Sequence, residues 1–331
     1  MFILESYTMA VIFCIVTMLC WGSWANTQKM ASNTWRFELF YWDYVFGIVL
    51  LALLFAFTLG SHGEQGRGFL EDFKQAENAN LGSAVLGGII FNAANILLVA
   101  AISIAGMAVA FPVGIGIALV LGVVVNYIDS PQGNALALFS GVSCIAIAIL
   151  LNARAYRQLS TGNKTPPGKG LILSALAGLL MGFFYRFVAI AMFSDFTVPE
   201  PGKISPYTAM VCFSAGILLS NFLFNTYIMQ KPFIGKPVSF AAYMKGGFRN
   251  HITGILGGLI WCVGMSFSII ASGKAGAAIS YGLGQGATVI AALWGIYIWK
   301  EFSNAPKGTS RILNIMLAFY VLGIALIIYA R

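Results

Sequence analysis

The sequence predicts an all-α integral membrane protein, ten transmembrane helices arranged as two inverted five-helix repeats. Three observations predict it. Of the 331 residues 59% are hydrophobic and 9% charged, with a mean hydropathy of +0.84, far more apolar surface than a soluble domain of this length can bury. Apolar windows of about 20 residues, the length that crosses roughly 30 Å of hydrocarbon, recur from end to end. A stretch in the first half also aligns with one in the second.

In chain order the windows are 7–27, 37–60, 81–103, 106–128, 134–153, 171–193, 206–229, 252–273, 275–299 and 312–330. The first follows MFILES, which lacks the Lys or Arg of a cleaved signal, so a retained helix is expected. The second opens FELFYWDYVFG and places Asp43 inside a membrane-length segment. A tight turn separates the third window from the fourth. The polar, basic stretch RAYRQLSTGNKTPPGK follows the fifth and divides the chain into a first repeat (1–155), a cytoplasmic linker (156–170) and a second, inverted repeat (171–331). Between the seventh and eighth, KPFIGKPVSFAAYMKGGFRN mixes aromatics with Lys231, Lys236, Lys245 and Arg249 and reads as a short interfacial helix. All five cysteines fall inside windows, where they serve as apolar filling.

The net charge of +8 does not point to nucleic acid, because its distribution is one-sided. Loops after the odd-numbered windows hold 13 Lys and Arg residues, and the termini and remaining loops hold 5. By the positive-inside rule the first set is cytoplasmic and both termini lie outside, as expected of a protein of the plasma (inner) membrane.

Residues 86–127 align with 256–297 at an offset of 170 without a gap, with eleven identities in 42 positions. LGGIIF meets LGGLIW, and GMAVAFPVGIG meets GAAISYGLGQG. Gly22 meets Gly182, and GIVLLALLF (47–55) meets GILLSNFLF (216–224). Five helices per half is an odd number, so the second half must lie upside down relative to the first, which puts a cavity at the interface of the halves. Such a plan belongs to a transporter. Pro112 and Gly282 are equivalent in the repeat and are expected to loosen their helices as paired hinges or cavity walls.

Ionisable groups deep in a membrane need a partner, a watery cavity or a function. Asp43 lies about 9 Å into its helix. Desolvated among Tyr41, Trp42 and Tyr44, it is expected to exchange a proton near neutral pH, the competing reading being a structural carboxylate. Arg186, about 22 Å along its helix, either orients an electronegative group of a solute in the cavity or snorkels to the surface. The expected solute-binding residues are Trp21, Trp24, Asn26, Asn92, Asn95, Phe111, Tyr185, Arg186, Trp261, Tyr281 and Gln285. Amides and aromatic faces suit a neutral, planar or polyhydroxylated solute. Asn92 and Asn95 share a helix face, though each amide can equally bond a neighbouring helix. No metal-ligand spacing, zinc-protease HExxH, nucleophile elbow or Walker motif is present, so neither enzyme, cofactor nor ATP chemistry is expected, and an ion gradient is the simplest driver.

The start MFILES, WGSW at 21–24, YWDY at 41–44, GGIIFNAANIL at 87–97 and NYID at 126–129 resemble the ureide permease family, within the drug/metabolite transporter superfamily. Its members carry an ES near the N-terminus, G-T-W-P, Y-x-D-Y, a G-G followed by G-N-L, and N-Y with a nearby Asp. The resemblance covers mainly the first half. It implies proton-coupled uptake of small neutral solutes, which in that family are allantoin and related ureides, uracil and other nucleobases. Asp43 then falls on the family's membrane aspartate, Trp24 on its tryptophan and Asn95 on its helix-three asparagine. The chain departs at Ala25, where the family has proline, at Ala94, where it has glycine, and in lacking the long central loop of the plant members. The neighbouring glucose/ribose porter and rhamnose/proton symporter families keep a sugar open as solute. A metabolite or drug exporter of the same superfamily is the alternative function, and a non-transporting receptor a third.

Overall fold

The structure, a computed structural model, describes residues 1–31, 35–105, 107–159, 168–233 and 235–331, without the side chains of 103, 105, 107–109, 111 and 112. Among the described residues it is helical, with one isolated bridge, Met192 to Ile204, and no strand. Part of the linker expected at 156–170 lies outside the described residues.

The elements are α1 (Tyr7–Ser23), α2 (Ala25–Ala31), α3 (Phe37–Phe57), α4 (Phe69–Gln75), α5 (Asn78–Ala105), α6 (Met107–Asp129), α7 (Ala135–Leu159), α8 (Gly168–Ala189), α9 (Pro206–Gln230), α10 (Phe240–Met244), α11 (Phe248–Ala275), α12 (Ala277–Gly284), α13 (Ala287–Leu293), a π-helical turn (Trp294–Ile298) and α14 (Thr309–Tyr329). Their starts are chemically marked. Ser6, Ser205 and Ser239 accept hydrogen bonds from the backbone amides of Met9, Thr208 and Ala242, and Pro206 occupies the first turn of α9, where no amide donor is missed.

Nine described helical segments are long and apolar enough to cross a membrane, and Val113–Asp129 of α6 is a shorter apolar helix. Their outward faces carry Ile12, Ile15, Leu19, Leu50, Leu54, Leu223, Val321 and other exposed apolar side chains, the surface that hydrocarbon rather than water accommodates.

Two differences from the sequence reading concern helix continuity. The first window divides at Trp24 into α1 and α2, and the ninth divides at Gln285 and Gly286 into α12 and α13. Gly282, expected as the hinge, sits inside α12 against Val123; the interruption comes one turn later, beside the cavity. The side chain of its partner Pro112 lies outside the described residues.

Packing repeats with the sequence. α5 packs on α8 and α9, α11 packs on α1 and α3, α6 lies along α8, α13 along α1, and α7 pairs with α14. At the crossing of α3 and α11, a methyl group on Gly258 would overlap the Tyr44 carbonyl, and one on Gly47 would overlap that of Ile255. At the crossing of α9 and α5, Gly88 faces the Phe213 carbonyl and Gly216 that of Val85 in the same way. These are equivalent positions of the repeat. Backbones approach this closely only where there is no side chain to hold them apart.

One end of the bundle is capped. The N-terminal amine donates to Gln65 O at 2.6 Å, and Arg67 donates to Asp72 Oδ1 at 3.0 Å and to the carbonyls of Glu200 and Lys203. Asp72 also accepts from the Ser205 amide at 2.7 Å, which ties α4 to the start of α9. Toward the opposite end the described residues line a wider vestibule that includes Lys29, Trp299 and Glu301.

Candidate functional site: an aromatic cavity and a carboxylate cluster

A cavity of about 130 Å³ lies among α1, α5, α6, α8, α11 and the break between α12 and α13. Trp21, Trp24, Phe91, Phe184 and Trp261 supply its aromatic wall, and Asn95, Gln285 and Thr288 its polar side chains. Trp261 stacks 14° from parallel with both Trp21 and Phe213, and its ring centroid is 4.5 Å from that of Phe91. The aromatic surface is therefore held rigidly. The wall is built from positions that the repeat makes equivalent: Trp21 with Met181, Trp24 with Phe184, Phe91 with Trp261, and Ile115 with Gln285.

The polar groups are unequally used. Asn95 donates from Nδ2 to the Tyr41 hydroxyl at 3.1 Å, which orients its amide toward the cavity. Gln285 caps α12 by its backbone and lines the cavity with its side chain. The indole Nε1 of Trp21 is buried and has no hydrogen-bond partner among the described residues. It lies beside Gly264 of α11, where an added Cβ would be 2.9 Å away, and an indole N–H can only donate.

The cavity shares Gly22, Trp24, Ala25, Asn95, Leu98, Ile115, Thr288 and Ala291 with a wider vestibule of about 430 Å³. The vestibule leads to the end carrying Lys29, Trp299 and Glu301. There Lys29 pairs with Glu301 at 2.6 Å, Tyr156 donates to the same carboxylate at 2.6 Å, and Trp299 donates to Asn26 Oδ1 at 2.7 Å. Asn26 therefore borders the mouth of the vestibule rather than the cavity.

Four other expected binding residues are engaged elsewhere. Asn92 accepts from Tyr41 at 2.9 Å and donates to Ser220 Oγ at 2.9 Å, joining α3, α5 and α9, so the expected pair of amides reduces to Asn95. The Tyr185 hydroxyl donates to the Ser268 carbonyl at 3.1 Å, and that of Tyr281 to the carbonyls of Ala118 and Met181, each at 3.1 Å. Arg186 reaches the surface and pairs with Asp129, with N–O distances of 2.5 and 3.1 Å. The side chain of Phe111 lies outside the described residues.

Asp43 is not on the cavity wall. It is 2% exposed at the junction of α3, α10 and α11. Its carboxylate contacts Tyr243 Oη at 2.6 Å, Trp35 Nε1 at 3.3 Å, and His251 Nδ1 at 2.9 and 3.1 Å from its two oxygens. Burial and the neighbouring carboxylate push the Tyr243 hydroxyl well above the ordinary tyrosine range, so it remains a proton donor. Trp35, Tyr243 and His251 are not among the residues that the sequence singles out. A signal existed: His251 precedes Gly254 and Gly258 by three and seven residues, the stripe by which α11 meets α3.

The ureide permease family model matches residues 40–169 and 167–330. Ureide permease 1 of Arabidopsis thaliana is 22% identical over 384 aligned residues, covering 99% of this chain and 98% of that protein. Ureide permease 2 of the same plant is 22% identical over 392, with the same coverage. Transmembrane protein 144 homolog B of Dictyostelium discoideum matches a shorter stretch, 22% identical over 165 residues and 49% of this chain. A solved crystal structure superposes with a TM-score of 0.66 at 16% identity, covering 97% of this chain and 96% of that one, which shows a shared fold. A bundle of membrane-length helices around an aromatic, amide-lined cavity, matched along nearly its whole length to permeases, leads to one conclusion: this integral membrane protein belongs to the ureide permease family.

Proposed function

We propose that the protein is a secondary active transporter that takes up a small, neutral, planar solute, a ureide or nucleobase, together with a proton. The observation that carries this reading is the cavity wall: five aromatic rings, two amides and a threonine hydroxyl, with no charged side chain among the described lining residues. Aromatic faces stack on a flat ring, and an amide pairs with the N–H and C=O edge of a ureide or imide. A charged solute would enter without a counter-charge at large desolvation cost. A sugar can stack one face on tryptophan, but its several hydroxyls would outnumber the polar groups available and leave some unpaired. It is the second solute class to test.

In this reading ten spans form two inverted five-helix halves, residues 1–155 and 171–331, joined by a cytoplasmic linker at 156–170. The paired glycine crossings and the repeat-equivalent cavity wall support it. With the basic loops in the cytoplasm, both termini face out, the vestibule opens inward, and the protein is a carrier of the plasma (inner) membrane. Asp43 belongs to the proton pathway. An exporter of metabolites or drugs is the alternative, and it calls for a larger, more apolar cavity than about 130 Å³.

The test is reconstitution into liposomes enclosing a pH dye, with allantoin, uracil, ribose, glucose and rhamnose added outside to wild type and Asp43→Asn. Acidification with allantoin or uracil, abolished in the variant, is expected. Acidification with a sugar alone would replace the solute class, and flux that Asp43→Asn leaves intact would make the carboxylate structural.

A further inference from the structure

The Asp43 cluster has a stricter chemistry than a lone buried carboxylate. An ionised carboxylate only accepts hydrogen bonds, the indole of Trp35 only donates, and the Tyr243 hydroxyl stays protonated. The two oxygens of Asp43 thus receive Trp35 and Tyr243 and face His251 Nδ1 at 2.9 and 3.1 Å. Only the Nδ1–H tautomer of His251 completes the set without setting lone pair against lone pair. Three donors thus converge on one carboxylate that is almost closed off from solvent.

That tautomer leaves the lone pair on Nε2. The His251 side chain is 26% exposed, whereas that of Asp43 is 3% exposed. Nε2 lies beside Gly246, where an added Cβ would be 2.6 Å away, a close contact that only a residue without a side chain allows. The Trp35 and Tyr243 rings meet the imidazole edge-on, with centroids at 5.1 and 4.8 Å, and fix its plane. The charged groups on the surrounding elements are otherwise occupied or solvated. Arg36 and Glu38 pair with each other at 2.5 Å around the start of α3, Lys29 of α2 pairs with Glu301, and Lys245, at the end of α10, and Arg249, in the first turn of α11, are exposed.

We infer that His251, rather than Asp43, carries the coupled proton: the imidazole takes it up and releases it at Nε2, while Asp43 holds the ring through Nδ1 and balances the charge. This rests on the proton-coupled reading above. Imidazole is the side chain whose ordinary titration falls near neutral pH. Uptake turns the hydrogen bond from a neutral imidazole to the carboxylate into an ion pair spanning α3 and α11, with Tyr243 of α10 on the same carboxylate. The proton therefore acts on the glycine-packed crossing that adjoins the cavity through Tyr44 and Trp261. Asp43 is in this sense a positioning residue.

The first test needs no solute. The chain has two histidines, so His62→Gln leaves His251 alone to report in 15N-histidine NMR of the labelled protein in nanodiscs. A neutral form protonated at Nδ1, gaining its second proton at Nε2 as the pH is lowered, is expected. An Nε2–H tautomer, or an imidazole that takes no second proton, overturns the inference. The second test is His251→Asn, whose amide nitrogen can replace Nδ1–H but cannot take a proton. Counterflow of uracil or allantoin is expected to stay within about threefold of wild type while solute-driven acidification is lost. Acidification that persists in this variant overturns the inference and leaves the coupled reading standing. Wild-type counterflow without acidification removes the coupled reading and this inference with it.

Discussion

The Tyr185 hydroxyl is hydrogen-bonded to Ser268 on the closed side of the cavity, and their repeat equivalents, Ala25 and Leu98, both border the open vestibule. Ser280 extends the closed cluster through its hydroxyl, 3.1 Å from Ser268 Oγ, and Cys14 Sγ lies 3.7 Å from Ser280. The same helix contacts are thus polar and joined at one end, apolar and parted at the other. If the two ends exchange access, the Tyr185 cluster is what must separate.

Tyr185→Phe removes that hydroxyl and keeps the ring. Loss of a bond worth about 1 kcal/mol shifts a two-state balance about fivefold, so modification of Cys14 by a small thiol reagent is expected to speed up by a similar factor. The measurement uses a background in which Cys20, Cys144, Cys212 and Cys262 are replaced. An unchanged rate would show that opening does not pass through this cluster.

Trp21 lines the cavity, while its buried indole N–H lies beside Gly264 of α11. Trp21→Ala removes the stacking surface, and solute affinity is expected to fall by roughly tenfold, as for an aromatic contact of about 1.4 kcal/mol. Trp21→Phe retains most of that surface and is expected to change affinity by less than about threefold. Uptake at varied uracil or allantoin concentration checks both. Unaltered affinity in Trp21→Ala would mean that the solute does not stack on this ring.

Gly88→Ala and Gly258→Ala should each cost about 2 kcal/mol or more, since the new methyl group overlaps a neighbouring backbone carbonyl that cannot swing aside. The two losses are expected to be alike. Gly82→Ala in α5 meets nothing within 4 Å and is expected to be neutral or to gain about 0.5 to 1 kcal/mol from helix propensity. Thermal unfolding in detergent separates them. Equal stability in all three would refute the close crossings.

Arg186→Gln is expected to leave solute affinity unchanged. Its ion pair with Asp129 is partly solvated, with side chains 36% and 24% exposed, a setting worth at most about 1 kcal/mol. A marked rise in the uptake KM would place Arg186 at the solute after all.

Sequence by itself determined the helical membrane architecture, because a bilayer leaves a spanning chain few options: apolar runs of sufficient length must satisfy their backbone internally, and they do so as helices. It also marked the close crossings, since glycines recurring at the repeat offset are readable without coordinates. Trp21, Trp24, Asn95, Trp261 and Gln285 were chosen as polar or aromatic groups in apolar runs, and they line one cavity. The same criterion also selected Asn92, Tyr185 and Tyr281, because composition cannot tell a side chain that faces a cavity from one that bonds the next helix. Only the tertiary structure decided that. It alone brought Trp35, Tyr243 and His251 around Asp43, from a loop, a five-residue helix and the first turn of α11. Hydrophobic length is a property of one segment, which a sequence displays. A hydrogen-bonded cluster depends on the rotation and depth of several segments at once, and these are set by the packing between helices.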